Sequence, residues 1–252
     1  MNSITVSVIA LACVFGASVL GMFLRRLLPD HHLSQESRAV LQLGMSLMVT
    51  MTALLLSLQL GAAKSTYDIK RNELTAFSVQ ILLLDRELAH CGPDAHDIRS
   101  KLRARIERML ETTWPQVDAA GRLGSLPVSE EREALYDEIQ ELSPKDEAQR
   151  AAKIQALSTM INLGQERWLL LEQQSTSASL SLVVVAVVWM TIVFVILGLF
   201  APRNGTVFAI LFVCAAAVAG AVFLILELYS PFRGVIRLSS EPIRNVLAHL
   251  GQ

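Results

Sequence analysis

The chain has 252 residues, 52% of them hydrophobic and 18% charged, with a formal net charge of −1, three cysteines and three tryptophans. Those averages conceal two populations, because residues 1–24, 39–63, 173–202 and 204–226 contain no Asp, Glu, Lys, Arg or His, and all 45 acidic and basic side chains sit in the other 150 residues. Crossing about 30 Å of hydrocarbon takes about 20 mainly apolar residues. Each of the four stretches is that long, which excludes a soluble monomer, a disulfide-stapled secreted domain and a chain held by one anchor.

The first span is expected over about 4–24, ending at Arg25-Arg26 where two guanidinium groups resist lipid. No positive charge precedes it and no small-x-small site ends it, so it does not read as a cleaved signal peptide. The second span covers about 40–63, after the loop RRLLPDHHLSQESR, and ends at Lys64. The third covers about 177–200 and the fourth 206–226, with Pro202 and Gly205 enforcing a tight hairpin. Four spans put both termini and the central segment on one side of the membrane. Lys and Arg near the spans number four on the short-loop side and about seven on the other, which favours a bacterial inner-membrane protein with a cytoplasmic centre and cytoplasmic termini.

Between the second and third spans, residues 64–172 carry 15 basic and 19 acidic side chains, which speaks against a nucleic-acid partner. Leu74, Phe77, Ile81, Leu84 and Leu88 recur at 3-4-3-4 spacing, and so do Ile154, Leu157, Ile161, Gly164, Trp168 and Leu171. Both read as narrow, coiled-coil-like helical seams. No breaker separates the first seam from the second span, so one helix is predicted to continue to His90. Gly92-Pro93 marks a turn, with Asp94 and Asp97 as an N-cap pair for a third helix that places Ile98, Leu102, Ile106, Met109 and Leu110 on one face. That helix ends at Trp114-Pro115; a loop with Gly121, Gly124 and Pro127 follows, then a short helix over 129–142, and Ser143-Pro144 starts the final arm. The expected fold is all-α and polytopic: a transmembrane hairpin at 1–63, a polar helical bundle at 64–172, a second hairpin at 173–228 and an amphipathic tail at 229–252.

No HExxH, GxSxG, P-loop or CxxC motif is present, so neither an enzyme nor a metal or other cofactor is expected. The cluster His90-Cys91-Gly92-Pro93-Asp94-Ala95-His96-Asp97 contains zinc-ligand types, but its spacing fits a Gly-Pro turn before a helix better than a metal site. His31-His32 read as loop, and Cys13, Cys91 and Cys214 give no disulfide framework. Arg99, Lys101, Arg103, Arg105 and Arg108 form either the wet face of an amphipathic helix or a surface attracting anions or anionic lipid headgroups. On the second span, Gln42, Ser46, Thr50, Ala53 and Ser57 fall within about 80° of arc. Such a stripe packs against another helix or, in a ring of subunits, lines a pore. Ala216, Ala217, Gly220 and Ala221 on the fourth span suggest close helix packing. Glu227, at the end of that span, needs water or a cation, and Arg233 and Arg237 are candidate partners.

The run LELYSPFRGVIRLSSEPIRNVL, which contains Glu227, Pro231, Gly234, Arg237, Ser239, Ser240, Glu241 and Pro242, resembles the C-terminal signature of the bacterial bestrophin-like (DUF4239) family of membrane proteins. The segments Gly61 to Leu102 and Arg25 to Ser34 look like the same family's stretches after the second span and in the first loop, with Tyr67 and Cys91 as minor departures. The resemblance implies four spans with a helical domain between the second and third. The family's name reflects distant similarity to bestrophins, which are pentameric anion channels with aromatic and aliphatic constrictions on the second span; here Leu43, Leu47, Val49 and Leu54 supply no aromatic ring. Two functions follow as expectations: a homo-oligomeric ion channel, for anions, lined by the second span, or a non-conducting membrane scaffold or sensor whose helical insert binds a protein partner.

Overall fold

The computed structural model describes residues 3–27, 35–114, 128–172, 180–202, 204–231 and 234–251. Eight α-helices follow in chain order among them: α1 (Ser3–Leu24), α2 (Gln35–His90), α3 (His96–Thr113), α4 (Val128–Glu141), α5 (Glu147–Glu172), α6 (Leu180–Phe200), α7 (Gly205–Leu228) and α8 (Glu241–His249). Four of them are long and apolar enough to cross a membrane: α1, α2, α6 and α7. The chain divides into two compact units, one of residues 1–67 with 177–230 and the other of residues 68–176 with 231–252. The predicted loops with His31-His32 and with Gly121, Gly124 and Pro127, Arg203, Arg233, Ser177 and the side chains of Trp168 and Leu171 lie outside the described residues.

In the first unit α1 packs against α6 and α7. It does so with a face of small side chains, Ser7, Ala10, Ala17, Ser18 and Gly21, interrupted only by Val14. Small residues matter here because lipid tails are as apolar as leucine, so helices associate through close packing rather than through escape from water. The closest approach is reciprocal. A methyl group on Gly21 would run into the carbonyl oxygen of Val195, and one on Gly198 into that of Ser18. Phe15 stacks edge-on against Phe208 and Phe212 of α7, with ring centroids 4.9 and 5.3 Å apart. Arg25 closes the end of this bundle by donating to the Ala201 carbonyl at 3.3 Å, where the C-terminus of α6 concentrates negative potential.

The small residues expected to pack tightly on the fourth span are not the ones that do so. Ala217 is exposed, and a Cβ on Gly220 would meet open space, whereas α7 buries Leu211, Ala215, Ala219, Val222 and Ile225. Four small residues in a run fit several helical phases equally, and the larger neighbours select the phase.

In the second unit Leu74, Phe77, Ile81, Leu84 and Leu88 are all buried, and α2 is unbroken to His90. Gly92 ends it at φ 101°, a conformation that penalises a side chain, and Pro93 opens a single 3-10 turn leading into α3. Ile98, Leu102 and Ile106 of α3 and Leu135 and Ile139 of α4 fill the core. Two expected caps are corrected. Ala95 occupies the cap position of α3, with no side-chain cap bond from Asp94 or Asp97. The final arm begins at Glu147 rather than at Ser143-Pro144, because the Asp146 carboxylate accepts the Gln149 N–H at 2.7 Å while the Gln149 side chain accepts the Lys145 N–H at 2.9 Å.

The second seam is also corrected. α5 buries Ala156, Thr159, Met160 and Leu163, while Ile154 is 63% and Ile161 49% exposed. The buried row lies roughly 150° around the helix from the Ile154–Ile161 row. Spacing alone favoured the larger residues, but the inward position here accepts alanine and threonine.

The reciprocal glycine contact gives the first prediction. Gly21→Ala and Gly198→Ala should each destabilise the protein by about 1–3 kcal/mol through overpacking, despite alanine's better helix propensity. Gly16→Ala, with nothing within 4 Å of its Cβ position, should be neutral or mildly stabilising. Thermal unfolding in detergent distinguishes the three.

Candidate functional site

The second span is the least covered of the four. Only 6% of its most apolar window is buried inside the chain, against 28% for α1 and α7 and 39% for α6. Its covered positions are Thr52, Gln59 and Ala63, with Leu56 half-buried beside them. Gln42, Ser46, Thr50, Ala53 and Ser57 are all exposed, and at 100° per residue they centre roughly 110° away from that covered face. The stripe therefore does not pack against the other described residues of its chain. Ser46 donates its hydroxyl to the Gln42 carbonyl at 2.9 Å and Thr50 to the Ser46 carbonyl at 2.8 Å. This back-bonding satisfies the donor inside the helix and leaves oxygen lone pairs facing outward.

The basic run of α3 is divided among partners. Arg99 makes a bidentate pair with Asp85, Nε to Oδ1 and Nη2 to Oδ2, both at 2.8 Å. Lys101 bridges Asp97 at 2.8 Å and Glu138 at 3.0 Å, which hold its ammonium above the usual lysine range. Arg103 pairs with Glu107 at 3.2 Å and donates to the Leu250 carbonyl at 2.9 Å. Arg108 donates to the Ala104 carbonyl at 3.4 Å. Arg105 is half-buried. The run is thus not one open cationic face; much of it ties α3 to its surroundings.

Three buried charged residues of α2 carry the chemistry that spacing did not single out. Asp85 is 1% exposed. Its Oδ2 also accepts the Gly251 N–H at 3.3 Å. Burial alone would raise its carboxyl, but the Arg99 and Gly251 hydrogen bonds and the charges of Arg99 and Arg86 outweigh that and hold it below the usual aspartate range. Glu87, two residues on and therefore on the opposite side of the helix, is also buried. Its Oε1 accepts the Thr159 hydroxyl at 3.1 Å, and its Oε2 has no hydrogen-bond partner among the described residues. Burial pushes this carboxyl up, and the Thr159 bond opposes that only in part. Lys70 is 3% exposed, and burial lowers its ammonium below the ordinary lysine range against the opposing pull of Glu73. All three follow the phase of the leucine seam or lie on the opposite face that α5 covers. A charge at a position in register with Leu74 and Ile81 was the available signal.

The signature tail is mostly structural in the second unit. The Pro231 carbonyl accepts the Leu238 N–H at 2.9 Å, and Gly234 accepts Arg237 Nε at 2.8 Å. Ser240 occupies the cap position of α8, Glu241 and Pro242 form its first turn, and the Ser239 hydroxyl accepts the Glu241 N–H at 3.1 Å. Ile243, Val246 and Leu250 are buried, while Trp114 Nε1 donates to the Leu238 carbonyl at 2.9 Å. Glu227, in the first unit, is 1% exposed at the end of α7. Among the described residues no group of three or more His, Cys, Asp or Glu is placed to hold a metal, and the His90–Asp97 run serves as the turn between α2 and α3.

The fold and these placements define an all-helical, multi-pass membrane protein with a helical insert between its second and third spans. The family model for the Bestrophin-like domain matches residues 12–243, and the chain belongs to that family. Its fold is that of crystal structures of two mutant forms of a bacterial bestrophin homologue from Klebsiella pneumoniae. One is 16% identical with a TM-score of 0.64, covering 97% of this chain and 99% of that one. The other, also 16% identical, has a TM-score of 0.66 and covers 100% and 99%. No curated protein matches the chain.

The Asp85 hub gives the second prediction. Removing one partner of a buried ion pair leaves the other charge uncompensated and costs about 3–5 kcal/mol. Asp85→Asn should therefore release the C-terminal helix, seen as faster amide exchange over residues 241–251. Because the Asp85 carboxyl is held low, its contribution is complete above the ordinary aspartate range and is lost as pH falls through its depressed value.

Proposed function

We propose that the chain is one subunit of a homo-oligomeric channel for small ions in the bacterial inner membrane, with the Gln42–Ser57 stripe of α2 along the conducting axis. The observation that carries this reading is that stripe's exposure on the least covered of the four spans. A row of hydroxyl and amide groups in lipid gains nothing by facing hydrocarbon, so water or a second copy is its natural neighbour. Membership of the Bestrophin-like family and the shared fold support the same class.

The expected preference for anions rested on the bestrophin resemblance, the polar stripe and the basic run, and much of that run is committed to carboxylates and carbonyls. The outward lone pairs of Ser46 and Thr50 favour small cations instead, since an anion is solvated there only after each hydroxyl leaves its carbonyl. Purified protein in planar bilayers should conduct, with reversal potentials under salt gradients reporting the sign of the ion. Thr50→Leu and Ser57→Leu should each reduce conductance severalfold. A strict monomer by native mass spectrometry, or a silent bilayer from well-folded oligomer, overturns the proposal. The same reading keeps the insert and both termini in the cytoplasm, following the distribution of Lys and Arg.

One observation favours a second reading, a scaffold or sensor with a partner at the insert. Ile154 and Ile161 present a large apolar row to water on α5, and Val79 and Leu83 do so on α2. A contiguous exposed apolar row outside the membrane marks an interaction surface. Ile154→Glu with Ile161→Glu should then abolish assembly or partner capture while leaving the helical content of the protein unchanged by circular dichroism. Unaltered assembly would remove support for this surface.

A further inference from the structure

Glu87 is a buried carboxyl group that neither ion conduction nor tail docking uses. It lies where α2 meets α5, with Thr159 as its hydrogen-bonding side-chain partner and with Oε2 unpartnered. One turn further along α2, the buried thiol of Cys91 donates to the Glu87 backbone carbonyl at 3.3 Å. Lys153 of α5 acts on Cys91, but its ammonium is bonded to the carbonyls of Gln140 and Leu142 at 2.6 and 2.9 Å and makes no ion pair with Glu87. Asp85 faces the other way, into its pair with Arg99. The carboxyl is therefore buried with no cation paired to it among the described residues.

We propose that Glu87 is a proton-operated catch between α2 and α5: protonated, it seats α5 on α2; ionised, it forces that seam apart. The geometry supplies each part. The neutral acid is compatible with a dry seam, whereas an unpaired carboxylate there incurs a desolvation penalty that water entry relieves. Water has a ready route, because Thr159 also lines an open groove of ≈ 400 Å³ between the two helices, together with Gln80, Leu83, Ile154, Gln155 and Ser158. The sign follows from linkage. A carboxyl raised in the closed state stabilises that state fully below the ordinary glutamate range and stops doing so as pH rises through its elevated value. The inference does not depend on conduction, and it makes the insert responsive to pH in the direction opposite to the Asp85 hub.

Cys91 is the built-in reporter, since it is buried while the seam is closed. The test uses the full chain in nanodiscs, with Cys13→Ser and Cys214→Ser, and follows labelling of Cys91 by a neutral maleimide between about pH 5 and pH 9. Comparison with Glu87→Gln, which is neutral throughout, controls for the thiol's own ionisation except for the upward push that the Glu87 charge gives it, and that push slows wild-type labelling and so acts against the expected rise. The wild-type rate relative to that variant should climb with pH, approaching about tenfold per unit where one proton controls opening. Thr159→Val removes the bond that favours the ionised form, so its rise should begin at higher pH than in the wild type. A wild-type to Glu87→Gln ratio that stays flat across the range, or a rise unmoved by Thr159→Val, overturns the proposal. Should Glu87→Gln fail to fold, the comparison of wild type with Thr159→Val decides alone.

Discussion

No residue from Gln35 to His90 interrupts the backbone hydrogen bonding of α2, so one continuous helix of 56 residues contributes to both units. That continuity is the constraint on which the remaining helices depend. Within the first unit α2 supplies Thr52, Leu56, Gln59 and Ala63 to the packed side and leaves its polar stripe uncovered. Within the second it supplies the leucine seam and the buried Lys70, Asp85 and Glu87. Its Ser and Thr hydroxyls find their acceptors within the helix: Ser46, Thr50, Thr52, Thr66, Thr75 and Ser78 each donate to the carbonyl four residues back.

Asp85 and Glu87 show how little sequence distance is needed to reverse a group's chemistry. Both are buried carboxyl groups on the same turn of the same helix. Asp85 meets a guanidinium fork and a backbone N–H, and stays charged. Glu87 accepts one hydroxyl, and burial pushes its carboxyl above the ordinary glutamate range. The first holds α8 and the end of the chain; the second lies under α5. Each side of α2 thus carries its own electrostatic condition for packing.

Much of the architecture was legible because it is written in long runs. Four uncharged stretches announce the spans, and the Leu74–Leu88 seam has one helical phase that buries large residues. The failures share a cause. On α5 and α7 the periodicity allowed more than one face: α5 buries the row with Ala156 and Thr159 in place of Ile154 and Ile161, and α7 buries Leu211, Ala215, Ala219, Val222 and Ile225 in place of its run of small residues. Which face is buried depends on what the partner helix permits, which no local pattern records. The polar stripe on the second span was visible from spacing. The buried charges were legible only in part: Lys70 and Asp85 stand four residues from Leu74 and Ile81, in register with the seam, whereas Glu87 looks like an ordinary solvated position until α5 is in place.

The contact between α1 and α6 has a consequence for how sequences of this kind can change. Gly21 and Gly198 press against carbonyl oxygens, not side chains. When a methyl group crowds a side chain, a smaller neighbour can restore the space; when it crowds backbone, no substitution elsewhere supplies room. A lineage that loses either glycine has to move the two helices apart, and the hydroxyl of Ser18 and the aromatic contacts of Phe15, carried on the same helix, would have to find new positions together. That couples one small residue to the spacing of a whole hairpin, and makes the two glycines a single heritable unit.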